Sequence, residues 1–171
     1  MNFRLLFFIT LFVLIVGCAN KIEDGSVLTE RTEASDFVLE ISTPTVAKVG
    51  QMLKVKGKLT YVGDKPIELY HGEPIIRFSF TGTDIDYAYT DGGYRTQVKK
   101  GQTFEVGSEF KVTEFGKQSL IARTTLIEVD GKVIKGIGNE KYIKNDMSES
   151  NKELEDSKIT LAPIVIEVNS K

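Results

Sequence analysis

Leu53-Lys54-Val55-Lys56-Gly57-Lys58-Leu59-Thr60-Tyr61 alternates without a break, with Leu53, Val55, Gly57, Leu59 and Tyr61 on one side and Lys54, Lys56, Lys58 and Thr60 on the other. Successive side chains of an extended chain point to opposite faces, so this stretch predicts a strand with one face in a core and a lysine-bearing face in water. Upstream, Phe37, Leu39 and Ile41 alternate with Val38, Glu40 and Ser42. Pro44 interrupts that run, and Thr45–Val49 resumes it as an edge segment would, where a missing N–H faces solvent. Gly50-Gln51 then turns the chain into the lysine-bearing strand.

Downstream the same grammar repeats. Gly63-Asp64-Lys65-Pro66 is a turn cluster, Ile67 and Leu69 begin a short strand, and His71-Gly72-Glu73-Pro74 breaks it. Ile76, Phe78 and Phe80 share one side of the next strand, which Gly82 ends. Tyr87-Ala88-Tyr89 is a weak strand running into Asp91-Gly92-Gly93, a turn signal because glycine accepts positive φ. Phe104 with Val106, then Phe110 with Val112, give two short alternations separated by Gly107. Leu120–Val129 is the longest β-like run. Asp130-Gly131 predicts a two-residue hairpin, and the last strand spans Ile159–Val168 with a proline at position 163.

Seven or more short strands separated by Gly, Pro and Asp clusters predict an all-β chain, a sandwich of about seven to nine strands. The Pro-interrupted first strand and the turns at Gly50 and Gly63–Pro66 resemble bacterial immunoglobulin-like domains over residues 36–168. With no Trp and a single Cys, the chain lacks the disulfide-and-tryptophan core of antibody domains. Between Gly136 and Lys158 the β pattern fails, and a hydrophilic loop of that length is expected to be functional or disordered.

The start of the chain carries an address. One basic residue, Arg4, precedes an apolar run from Leu5 to Val16, too short for the ~20 residues that cross a bilayer as a helix. Ile15-Val16-Gly17-Cys18 closes that run and resembles the lipobox of bacterial lipoproteins. That resemblance implies cleavage between Gly17 and Cys18, a palmitate-type diacylglycerol on the Cys18 thiol, and attachment to the extracytoplasmic face of a bacterial cell membrane. Two acyl chains anchor stably where one does not. The reading divides the chain into a signal peptide, 1–17, a lipidated N-terminus and flexible tether, 18–35, and one β-sandwich domain, 36–171. A 17-residue tether from Ala19 reaches at most ~55–60 Å.

Cys18 is the only cysteine of the 171 residues, so no disulfide, cysteine ligand or cysteine nucleophile is expected in the domain. The formal charge is −2 with both signs interspersed, which gives no basic stripe for nucleic acid. His71 is the only imidazole; lying between strands, it is expected at the surface or rim, and triads or multi-histidine metal sites are excluded. Asp84, Asp86 and Asp91 are the nearest approach to a metal cluster, but their spacing does not match a calcium loop, so no metal and no cofactor are expected. The carboxylate pairs Glu23 with Asp24 and Glu153 with Glu155 lie in hydrophilic segments unsuited to acid–base work. Ser79, Ser108 and Ser119 stand in no nucleophile elbow, and no phosphate-binding glycine loop occurs.

The chain therefore reads as a non-enzymatic binding or structural module, held to the membrane through Cys18. Tyr87, Tyr89, Tyr94 and Arg95 form the candidate binding loop, since loop tyrosines supply rigid amphipathic contact area. A protein or envelope component is the expected partner. The alternatives are a β-sandwich proteinase inhibitor presenting Asp91–Gly101 or Gly136–Lys158 as bait, and a small-ligand or metal-binding lipoprotein using Asp84, Asp86 and Asp91.

Overall fold

Twelve strands and no helix make up the described part of the computed structural model, residues 26–83, 92–134 and 158–170. The lysine-bearing stretch is β4 (Met52–Tyr61), and its burial alternates as the sequence predicts. It pairs antiparallel with β2 (Phe37–Pro44) on one side and β8 (Thr103–Lys111) on the other, while β1 (Val27–Ala34) lies along the far edge of β2. This first layer has the order β1-β2-β4-β8.

The opposite layer contains two four-stranded sheets. One has the order β3 (Val46–Lys48), β12 (Ile164–Asn169), β9 (Gly116–Thr124), β6 (Ile76–Phe80); the other has β11 (Lys132–Val133), β10 (Ile127–Val129), β5 (Ile67–Glu73), β7 (Gly92–Val98). Consecutive strands link them: β5 leads into β6, and β9 into β10. Ile76 lies opposite Thr124 and His71 opposite Ile127, so five steps along one chain face three along the other. The ladder must bulge there, and a bulge bends a sheet. Thr125 bridges the bend, its N–H donating to the Ile75 carbonyl at 2.9 Å and its hydroxyl accepting the Gly72 N–H at 3.0 Å. The expected single run Leu120–Val129 is thus divided at Thr125-Leu126.

Inward faces of the layers meet in one core that includes Leu39, Ile41, Leu53, Leu59, Leu69, Ile76, Phe110, Leu120, Ile127 and Ile166. Gly57 sets the close approach. A Cβ there would stand 2.8 Å from Phe78 Cζ and 3.0 Å from Ile76 Cδ1, so β4 leaves room for the β6 ring by having no side chain. Phe80 and Phe110 continue the contact between layers, ring centroids 5.7 Å apart. The fold is an immunoglobulin-like β-sandwich.

Several expectations are corrected. Val27–Ala34, read as tether, is a strand paired with β2 over its full length; its alternation is too polar to stand out, and backbone pairing, not burial, holds it. After Pro44 the chain does not resume at the same edge: β3 crosses to the other layer and runs parallel to β12. Gly92 and Gly93 begin β7 instead of turning the chain, and Gly107 lies within a continuous β8. The last strand begins at Ile164, after Pro163, with an isolated bridge from Thr160 to Arg123 before it. These crossings and breaks raise the strand number above the seven to nine expected. The Asp130-Gly131 hairpin is present, with positive φ at both residues and Val129 opposite Lys132.

Gly57→Ala is expected to destabilise the domain by about 1–3 kcal/mol, the usual cost of overpacking, and Phe78→Leu in the same chain should recover part of the loss. Urea melts of the single and double variants test this, and simple additivity would count against the contact. Tyr61 supplies a pH test. Burial, and then the charges of Asp36, Asp130 and Asp64, raise its phenol above the ordinary tyrosine value, and its hydroxyl donates to the Lys65 carbonyl at 2.6 Å. Above pH ~10 the unfolded chain releases this proton before the folded chain does, so stability falls as pH rises through that range. Tyr61→Phe should flatten the fall while removing about 1 kcal/mol at neutral pH, measured by denaturation at paired pH values.

Candidate functional site

Tyr94 and Arg95 lie on β7, not on a loop. Among the described strands nothing pairs with the outer edge of β7. Adjacent residues of a strand face opposite ways, and Tyr94 and Arg95 divide accordingly. Tyr87 and Tyr89, together with Asp84, Asp86 and Asp91, lie outside the described residues.

Arg95 stands opposite Tyr70 on the outer face of its sheet. Its guanidinium donates to Glu68 Oε1 at 2.6 Å and lies 5.6 Å from the Tyr70 ring centroid. Tyr70 in turn lies over Gly93, where a Cβ would meet the phenol oxygen at 2.2 Å. Glu68, Arg95, Tyr70 and Gly93 therefore form one packed arrangement on β5 and β7. Sequence pattern does not single out Glu68 or Tyr70, because their relation to Arg95 exists only through cross-strand register. The ion pair is exposed on both sides and contributes less than ~1 kcal/mol.

Tyr94 points the other way, toward the gap between layers, and is 51% exposed. Its ring stacks on His71 at a centroid separation of 6.1 Å, and Phe104 of β8 meets His71 edge-on at 5.2 Å. His71 is not the rim histidine that the sequence suggests: it is only 4% exposed. Nδ1 donates to the Gly72 carbonyl at 2.9 Å, while Nε2 lies 3.3 Å from the Thr96 hydroxyl. Both ring nitrogens are thus engaged within the fold, and the imidazole joins β5, β7 and β8. Its position follows from β5 continuing through Glu73, which places residue 71 in the inward register of Ile67 and Leu69.

The other candidates stay apart. Ser79, Ser108 and Ser119 occupy β6, β8 and β9 respectively, none beside His71. Glu23, Asp24, Glu153 and Glu155, the lipobox, and nearly all of the 136–158 segment lie outside the described residues. Of the segment Asp91–Gly101, residues 92–98 are tied along β5, so this stretch is not a free bait loop. Among the described residues no group of three His, Cys, Asp or Glu side chains is placed to hold a metal ion.

The outer face of the first layer is a charge lattice. Arg31, Glu40, Lys58 and Glu105 stand side by side on β1, β2, β4 and β8 in alternating sign. Lys58 reaches Glu40 at 3.7 Å and Lys54 reaches Glu109 at 3.5 Å. Such pairs keep the face solvated and contribute little each.

No family model matches the chain, and no curated protein matches it. Among solved structures it is similar to a CARDB domain from Pyrococcus furiosus in complex with di-metal ions, at 13% identity and a TM-score of 0.42, covering 82% of this chain and 98% of that one. It is also similar to a β-glucosidase from Listeria innocua in complex with glucose, at 14% identity and a TM-score of 0.36, over 82% of this chain. The chain spans 16% of that enzyme's length.

Thr125→Val is expected to cost about 1–3 kcal/mol, because it leaves the Gly72 N–H without its acceptor at the bend. Arg95→Ala should cost less than ~1 kcal/mol. Thermal or urea denaturation of the pair ranks them, and the reverse order would show that the bend is held by something other than Thr125.

Proposed function

We propose that the chain is a lipid-anchored module on the extracytoplasmic face of a bacterial cell membrane, with a non-enzymatic immunoglobulin-like domain that binds a protein or envelope component. Ile15-Val16-Gly17-Cys18 carries this reading: an aliphatic residue three before a cysteine, a small residue just before it, and a short apolar run ahead of both. Anchoring needs only the Cys18 thiol and two acyl chains, which leaves the sandwich surface free for recognition.

The outer edge of β7, unpaired among the described strands, supports the binding part. An extended peptide can add to such an edge through main-chain hydrogen bonds, with side chains on alternate positions giving selectivity. Tyr94 offers an aromatic surface on one side of that edge, and Arg95 over Tyr70 a cation held in place on the other. Gly92 and Gly93 at the start of the strand add no side-chain bulk.

Cys18→Ser should abolish acylation, since serine lacks the thiol that forms the thioether, and should leave an uncleaved precursor. Labelling cells with a radioactive fatty acid reads this directly, and undiminished label in Cys18→Ser would remove the anchor. Photo-crosslinking in intact cells from position 94, compared with position 54 on the charged lattice, tests the edge: adducts are expected from the first and not the second.

A further inference from the structure

The two ends of the sandwich present different chemistry. At one end lie the turn after β4, the turn between β7 and β8, and the Asp130-Gly131 hairpin. Asp64, Lys65, Lys99, Lys100 and Asp130 are exposed there, and Asp64 and Lys100 form an ion pair. Val62 is the large apolar side chain exposed among these turns, with Val133 in the hairpin.

At the opposite end, residues 49–51, 81–82 and 112–116 and the end of β12 are tied into one rim. Gly50 N–H donates to the Val112 carbonyl at 2.8 Å, Val112 N–H to Gln51 at 2.9 Å, Thr113 N–H to Gly82 at 2.8 Å and Val49 N–H to Asn169 at 3.1 Å. This rim carries Phe115, 75% exposed, together with exposed Met52 and Val46, and exposed Val27 stands close by at the start of β1. Lys48 and Lys111 are exposed among them, Lys111 directly opposite Met52. Scattered apolar side chains on a surface need no explanation, but four of them lie at this end, beside two cations and one exposed acid, Glu114.

The chain enters the domain at this same end. Val27 lies opposite Pro44, and the Ser26 carbonyl accepts the Thr45 N–H at 3.2 Å. Because β1 is a strand, only the seven residues 19–25 separate Ser26 from the anchor position, and the eight steps from Cys18 to Ser26 span at most ~26–29 Å in any conformation. A short link raises the effective concentration of this end at the bilayer surface, so even weak contacts are populated.

We infer that the end bearing Phe115, Met52, Val46 and Val27 is a membrane-contact surface, seated on a layer of anionic lipid headgroups with Lys48 and Lys111 facing lipid phosphates. The inference rests on the lipid-anchor reading proposed above. Apolar side chains at the headgroup boundary combined with lysines drawn to anionic lipid are the pairing that interfacial binding requires. The seated domain stands on its anchored end, with the charged turns directed away from the bilayer.

The chain contains no tryptophan, so Phe115→Trp and, separately, Met52→Trp each introduce a single reporter into the mature protein extracted from membranes. Each is reconstituted into vesicles of phosphatidylcholine and phosphatidylglycerol, with and without brominated acyl chains, alongside Val62→Trp as the distal reporter. Rim reporters should shift to the blue and lose at least about twofold in intensity with brominated lipid, while Val62→Trp should not change. Reading both rim positions lets one decide if the other disturbs folding. Unquenched rim reporters in protein that floats with the vesicles would overturn the contact surface and leave the anchor standing. Protein that neither floats nor carries fatty-acid label would overturn the anchor, and this surface with it.

Discussion

The absence of a side chain at Gly57 is the constraint on which the sandwich depends. Every other inward position of β4 is filled by Leu, Val or Tyr, yet at Gly57 the Phe78 ring and the Ile76 methyl occupy the space that a Cβ would take. That close approach lets β4 and β6 pack directly across the layers. Interiors pack at the density of organic crystals, so a single extra carbon is felt throughout the neighbouring contacts. Glycine weakens a strand locally, and the core contact it permits offsets that weakness.

The bend at Thr125 determines where β5 and β7 lie. Without the five-against-three mismatch, β5 and β10 would extend straight from β6 and β9. The bulge turns them into a second sheet, and β7 pairs with β5 there instead of with the sheet below. His71 then falls inward between β7 and β8, Tyr94 rests on it at the open side, and Arg95 is set on the outer face over Tyr70.

Polarity also runs along the strands. Residues whose backbone groups tie the rim of turns leave Phe115 and Met52 outward at the end where the chain enters, while the far end displays paired charges. If the proposed lipid anchor is attached through a short link, it turns such an asymmetry into an orientation by holding one end at the bilayer.

The amino-acid sequence by itself determined the β class, the faces of β2, β4 and β6 and the Asp130-Gly131 hairpin, because each depends only on alternation or local spacing. It did not determine which strands are neighbours. The polar pattern of Val27–Ala34 hides a strand that pairing with β2 stabilises, and Pro44 marks a crossing between layers that looks locally like a simple interruption. His71 lies inside because Gly72 and Glu73 remain extended, with the Gly72 N–H donating to a residue more than fifty positions away. Tyr94 and Arg95 were legible as residue types but not as a divided pair, since their partners, His71, Tyr70 and Glu68, are brought to them by register alone. Backbone hydrogen bonds between distant segments made these decisions, and no local propensity encodes them.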